Sequence, residues 1–117
     1  MAFRLIVSDE LHFAVHFTLA DGTAERAFGA RLSARRCPGS ELDERLSKSG
    51  QTVAQFLEQQ GLQFLGWTGD SPLKDEEGRA PAPGAEGLQA LMGIGNMSAL
   101  VMSHYMVANG AKGKAGN

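Results

Sequence analysis

Cysteine is all but missing from this chain, with one residue, Cys37, in 117. A single thiol cannot close an internal disulfide, so the fold must be held by packing and hydrogen bonds. Proline is scarce too: of four residues, three (Pro72, Pro81 and Pro83) fall between Gly69 and Gly84, leaving the rest of the chain free to form regular elements. No apolar run approaches the roughly 20 residues that a membrane-spanning helix needs, so a spanning segment is not expected. No secretory leader pattern opens the sequence, and a cytoplasmic location is the expectation. Neither sign of charge is in excess. Eleven basic against 13 acidic side chains give a formal net charge of −2, which leaves no whole-chain attraction to nucleic acid or to an anionic membrane.

What is present is the composition of a globular domain, 43% hydrophobic and 21% charged, on a chain long enough for one core. Between His12 and Leu19 the large residues Phe13, Val15, Phe17 and Leu19 alternate with Ala14, His16 and Thr18, the period of a strand with one core-facing side. Asp21-Gly22 is a pair that tolerates positive φ in a tight turn, and alternation resumes from Thr23 to Leu32, predicting a hairpin of strands over 12–19 and 23–32. Arg26 falls on the Phe28 and Leu32 face, which calls for a bulge near Gly29 or a partly exposed strand end. A lone hairpin is marginal, and Phe3 to Val7 is the expected third strand, over 3–7.

Beyond Pro38-Gly39 the period becomes helical. Ser40 with Asp43, and Thr52 with Gln55, have the spacing of capping boxes, predicting helices over 40–48 and 52–60, the second ending where Gly61 adopts the left-handed conformation. Leu62 to Trp67 is an apolar run too short to type by period, and the Pro-containing stretch to Gly84 is a loop. A helix over 85–92 should pack back on the same domain, because too little chain follows the loop for a second core. The expectation is therefore an α+β domain over 1–109, an N-terminal antiparallel hairpin or three-stranded meander against about four helices, followed by a disordered tail over 110–117.

The last helix, over 97–108 with Asn96 as its cap, carries the most apolar surface. Met97, Leu100, Val101 and Tyr105 share one face, while Met102 and Met106 with Ala99 form a second stripe. Two readings of the second stripe are open: burial at the centre of the domain, or a Met-rich surface that receives a partner.

Residues that carry chemistry are few. His12 and His16 lie on one strand face, but a metal site needs a third ligand that nothing signals. Gly93-x-Gly95 lacks the third glycine and the preceding strand of a dinucleotide fingerprint, so it is turn chemistry. Cys37 has no assigned histidine partner, and Asp75-Glu76-Glu77 reads as a solvated loop. No catalytic residue, metal or cofactor is expected.

The order of these features resembles a known family. A hairpin with the turn Leu19-Ala20-Asp21-Gly22 is followed by a helical middle, and Leu65-Gly66-Trp67 leads into the loop Asp75-Glu76-Glu77-Gly78. Pro81-x-Pro83 then opens a helix with Leu88 and Leu91-Met92, the last helix centres on Ala99-Leu100 and Tyr105, and the chain ends Gly113-Lys114-Ala115-Gly116-Asn117. This pattern, spanning nearly the whole chain, is similar to the tail assembly chaperones of long-tailed bacteriophages and prophages. The resemblance implies a non-enzymatic protein of the bacterial host cytoplasm. Such a protein binds the tape measure protein, keeps it soluble, helps recruit the major tail tube protein and is absent from the mature virion. Trp67, Met97, Leu100, Val101, Met102, Tyr105 and Met106 are the expected partner-binding residues, with homo-oligomerisation kept open. A virion structural or tail-completion protein, and a small metal- or ligand-binding protein using His12, His16 and a pocket near Trp67, are the alternatives.

The strand period carries a direct test. If Phe17 points into the core, Phe17→Ala should lower stability by about 3–5 kcal/mol; an unchanged thermal melt would remove it from the core face.

Overall fold

The computed structural model describes residues 3–47 and 50–113. Its first element pair is the expected hairpin, longer than the sequence period indicates: β1 (Glu10–Asp21) and β2 (Ala24–Arg35) pair in unbroken register from Glu10 opposite Arg35 to Asp21 opposite Ala24. The two-residue turn is Gly22-Thr23, one position beyond the expected pair, and Gly22 takes the positive φ (64°) that closes it. Leu11, Val15 and Phe17 are buried on one face of β1, with Phe13 and Leu19 packed half-buried beside them. On β2 the same layer is continued by Phe28, Ala30, Leu32 and Ala34. There is no bulge at Gly29 in this ladder. Arg26 instead occupies an exposed strand end, its guanidinium 5.3 Å from the centre of the Phe28 ring and 3.8 Å and 3.7 Å from the Asp21 and Asp70 carboxylates.

The third strand is not Phe3 to Val7. That segment pairs with nothing in the sheet, leaving Phe3 93% and Ile6 98% exposed. The outer edge of β2 is taken by β3 (Gln63–Trp67), giving an antiparallel sheet in the order β1-β2-β3. β3 is the run that was too short to type, and its own periodicity is broken by a bulge. Leu32 faces Phe64, Arg31 faces Gly66 and Ala30 faces Trp67, so Leu65 is the extra residue and Gly66 absorbs the distortion at φ 138°. Phe64 and Trp67, three positions apart, thereby meet on the core side with ring centres 5.1 Å apart.

Four helices complete the fold: α1 (Gly39–Leu46) and α2 (Val53–Gln59) precede β3, and α3 (Ala85–Met92) and α4 (Met97–Asn109) follow it. The Thr52 capping box forms in both directions, Gln55 N–H donating to Thr52 Oγ1 (3.1 Å) and Thr52 N–H to Gln55 Oε1 (2.9 Å), and Gly61 takes φ 69° after α2. The other two expected caps do not form. α1 begins at Gly39, so Ser40 lies inside the helix and the Pro38 carbonyl receives the first amides. Asn96 precedes α4 in the left-handed conformation (φ 66°) with no side-chain bond to the helix. The expected end of the first helix, Lys48, and tail residues 114–117 lie outside the described residues, whereas Gly110 to Gly113 are exposed and irregular.

The core sits between the sheet and the helices. α4 lies on β1, α3 on β3, and α2 and α3 both flank α4. α3 approaches β3 closely because Gly87 has no side chain: a Cβ there would fall on the Ala82 carbonyl oxygen and the Phe64 ring. Helix propensity alone would make Gly87→Ala stabilising by about 1 kcal/mol. Overpacking against a fixed carbonyl should reverse the sign, to a loss of about 1–3 kcal/mol in urea denaturation.

Candidate partner-binding surface

The α4 residues divide sharply by depth. Met97, Val101 and Tyr105 are fully buried, so three of the residues expected to meet a partner are instead core. The reason is the i, i+4, i+8 spacing that stacks them on the sheet-facing side of one helix. Tyr105 lies edge-on to Phe13 and Phe56, with centroid distances of 6.3 Å and 5.8 Å. Its hydroxyl donates to the Arg35 carbonyl (2.8 Å) and accepts from the Gln60 side-chain amide (3.5 Å). One turn on, the Asn109 side chain pairs with the Cys37 backbone as a strand would, accepting from its N–H (2.7 Å) and donating to its carbonyl (2.9 Å). Burial pushes the Tyr105 phenol above its ordinary pKa. The Cys37 thiol is itself buried, near Arg45, whose guanidinium stacks 4.7 Å from the Phe56 centroid and bonds the Gln60 side chain.

The remaining expected residues are graded. Leu100 and Met102 are half-buried against the core, Met106 is 38% exposed, and Val107 beside it is 57% exposed. The second stripe is therefore covered at Met102 and opens at the C-terminal end of α4. Trp67 is half-buried, and its indole N–H is enclosed without an acceptor among the described residues. The expected set is not one surface, since its members on α4 point both inward and outward.

A concave apolar surface does exist elsewhere. Between α2 and α3 runs a trough lined by Ala54, Glu58, Leu62, Ala85, Leu88, Gln89 and Met92. Its α3 wall is the set 85, 88, 89 and 92, an i, i+3, i+4, i+7 stripe turned away from buried Gly87 and Leu91. That stripe was visible in the sequence, but its availability was not, because it depends on α2 and α3 standing apart over α4. Among the described residues, Glu58 is the one ionisable side chain in the lining, and there is no imidazole, thiol or hydroxyl. Such a lining offers mainly apolar surface, with Glu58 and Gln89 as its polar groups.

The polar residues singled out in the sequence are engaged separately. His12 Nε2 lies 3.2 Å from Glu10 Oε1, while the His16 ring lies over Gly29 on the facing strand. Among the described residues no three His, Cys, Asp or Glu side chains converge. Asp75 organises its own loop, its Oδ1 accepting from the amides of Glu77 (2.9 Å) and Arg79 (2.8 Å). The ammonium of Lys74, donating to Asp70 at 3.0 Å, holds the Asp70 carboxyl below its usual range, helped by the Ser71 amide.

The Tyr105 network yields a prediction with a defined sign. Because the folded phenol titrates above its ordinary value of 10.0, its contribution is complete below that pH and is lost as pH rises through the folded value. Tyr105→Phe should cost about 1–2 kcal/mol near neutrality, moderated because Gln60 still donates to the Arg35 carbonyl. It should also remove the alkaline loss, as urea titrations of both proteins on either side of the phenol pKa would reveal.

Comparison with protein-family models, with curated proteins and with solved structures finds no match to this chain.

Proposed function

We propose that this chain is a tail assembly chaperone of a long-tailed bacteriophage or prophage, acting in the bacterial cytoplasm. It binds the tape measure protein, keeps it soluble, helps bring tail tube subunits to it, and leaves before the virion is complete. The sequence pattern from the Leu19 to Gly22 turn to the Gly113 to Asn117 ending suggests the family. The observation that carries the reading on physical grounds is the trough between α2 and α3.

A tape measure protein is long and helical and must be held in solution before the tube polymerises around it. Its exposed stripes call for a complementary apolar groove rather than a catalytic centre, and a groove walled by two helices is a common receiver of an amphipathic helix. Leu88 and Met92 supply apolar area, and Met92 adds a flexible thioether that adapts to varied side chains. Glu58 and Gln89 supply polar groups that fix the register of the guest. On α4, Met106 with Val107 is a smaller apolar patch, and Met102 contributes only its uncovered part.

The test is co-expression with the tape measure protein. Leu88→Gln/Met92→Gln should leave the chain folded, at a cost of about 1–3 kcal/mol for half-buried positions. The partner should then pass from the soluble to the insoluble fraction. A parallel Met102→Gln/Met106→Gln variant that alone loses the partner would move the contact to α4. Full partner solubility with both variants would sink the reading.

A further inference from the structure

The two edges of the sheet are treated differently. The β3 edge is five residues long, bulged at Leu65-Gly66, and met by the following loop, where Gly84 N–H donates to the Phe64 carbonyl (3.2 Å). The β1 edge is twelve residues long with no bulge in its ladder, and from His12 to Ala20 it contains no proline, lysine, arginine or carboxylate. Edge strands are normally shortened, bulged, charged or covered to prevent pairing; here one edge is guarded and, among the described residues, the other is left open.

The hydrogen-bond phase of that open edge follows from the turn. Asp21 and Ala24 close the two-residue loop as a bonded pair, and the Arg36 N–H donates to the Asp9 carbonyl (2.6 Å) in the same phase. Odd-numbered residues of β1 therefore bond to β2, and the N–H and C=O groups of His12, Ala14, His16, Thr18 and Ala20 point outward. The Glu10 N–H is already taken by Ser8 Oγ (3.0 Å). On the core side the same edge leaves Phe13 half-covered, beside a groove whose other wall is Ser103, His104, exposed Val107 and Ala108 of α4, with Lys112 beyond the helix end.

We propose that the β1 edge is the dimer interface of this protein, with β1 of a second copy pairing antiparallel across a two-fold axis to make one six-stranded sheet. The strand is suited to itself. In a two-fold pair whose facing positions sum to an even number, outward-pointing backbone groups meet outward-pointing groups, and the apolar face of one copy continues into that of the other. A register centred on Val15 would set Asp9 against Asp21, like against like. Registers centred on Ala14 or on His16 put no carboxylate directly opposite another. In the first, Leu11 faces Phe17 and Phe13 faces Val15 of the second copy; in the second, Phe13 faces Leu19 and Val15 faces Phe17. Either way Phe13 gains a cover that the described residues of its own chain do not supply. This interface lies apart from the α2–α3 trough, so it leaves the trough open and stands whether or not the chaperone reading does.

Sedimentation equilibrium of the full chain tests this, read with hydrogen exchange of the His12 to Ala20 amides. The wild-type protein should be a dimer whose outward amides are protected at high concentration and exchange on dilution. Ala14→Pro removes an outward N–H and no bond to β2, so it should keep its circular dichroism and weaken the dimer about tenfold or more. Ala14→Lys/Thr18→Lys, which installs charges on the edge, should do the same. A monomer at every concentration would overturn the proposal, as would outward amides whose exchange ignores concentration. So would a dimer that survives both folded variants, including one lost only when residues 1–7 are deleted, which would assign the contact to the N-terminal segment.

Discussion

Tyr105 is the point at which the separate elements of this fold become one body. Its ring is wedged between Phe13 of β1 and Phe56 of α2, and its hydroxyl is tied to the backbone of Arg35 at the end of β2. A buried hydroxyl without a partner costs more than a made hydrogen bond returns, so the end of β2 must arrive where α4 can meet it. Gln60 and Asn109 extend the constraint, the first bonding the Arg35 carbonyl and the second both polar groups of Cys37. Hairpin, helix α2 and helix α4 are fixed by one polar seam inside a largely apolar core.

What could be read beforehand was what is local. The β1 alternation and the Thr52–Gln55 box depend on residues a few positions apart, and both appear as expected. The spacing of Met97, Val101 and Tyr105 likewise identifies the helix face that meets the sheet, although the family resemblance assigns the same residues to a partner. Local signals misled where a neighbouring backbone choice pre-empted them: a helix starting at Gly39 took Ser40 inside, and the left-handed turn at Asn96 carried its side chain away from the amides.

The third strand and the trough were illegible for a common reason, since both are products of tertiary placement. Phe3 to Val7 has better strand composition than Gln63 to Trp67, but an edge is filled by the segment whose partners are near. Gln63 to Trp67 has the open side of β2 on one flank and α3, notched at Gly87, on its face. The bulge then hid the period by placing Phe64 and Trp67 on one face at a spacing no simple strand permits. The trough exists because α2 and α3 flank α4 without closing on each other, and no helical wheel contains that information.

The position of β3 in the chain also sets the order in which the sheet can be completed as the chain is synthesised. The β1–β2 hairpin closes through a two-residue turn and can form early, from neighbours in sequence. β3 reaches it only after α1 and α2 have been laid down, and Gly84 to Met92 must follow before the Phe64 side is covered. Until then the central strand of the finished sheet is an edge, with Leu32 and Ala30 exposed beside unpaired backbone. During that interval the nascent domain carries two open edges, so its window for misassembly is set by how quickly the chain beyond Gly61 is delivered.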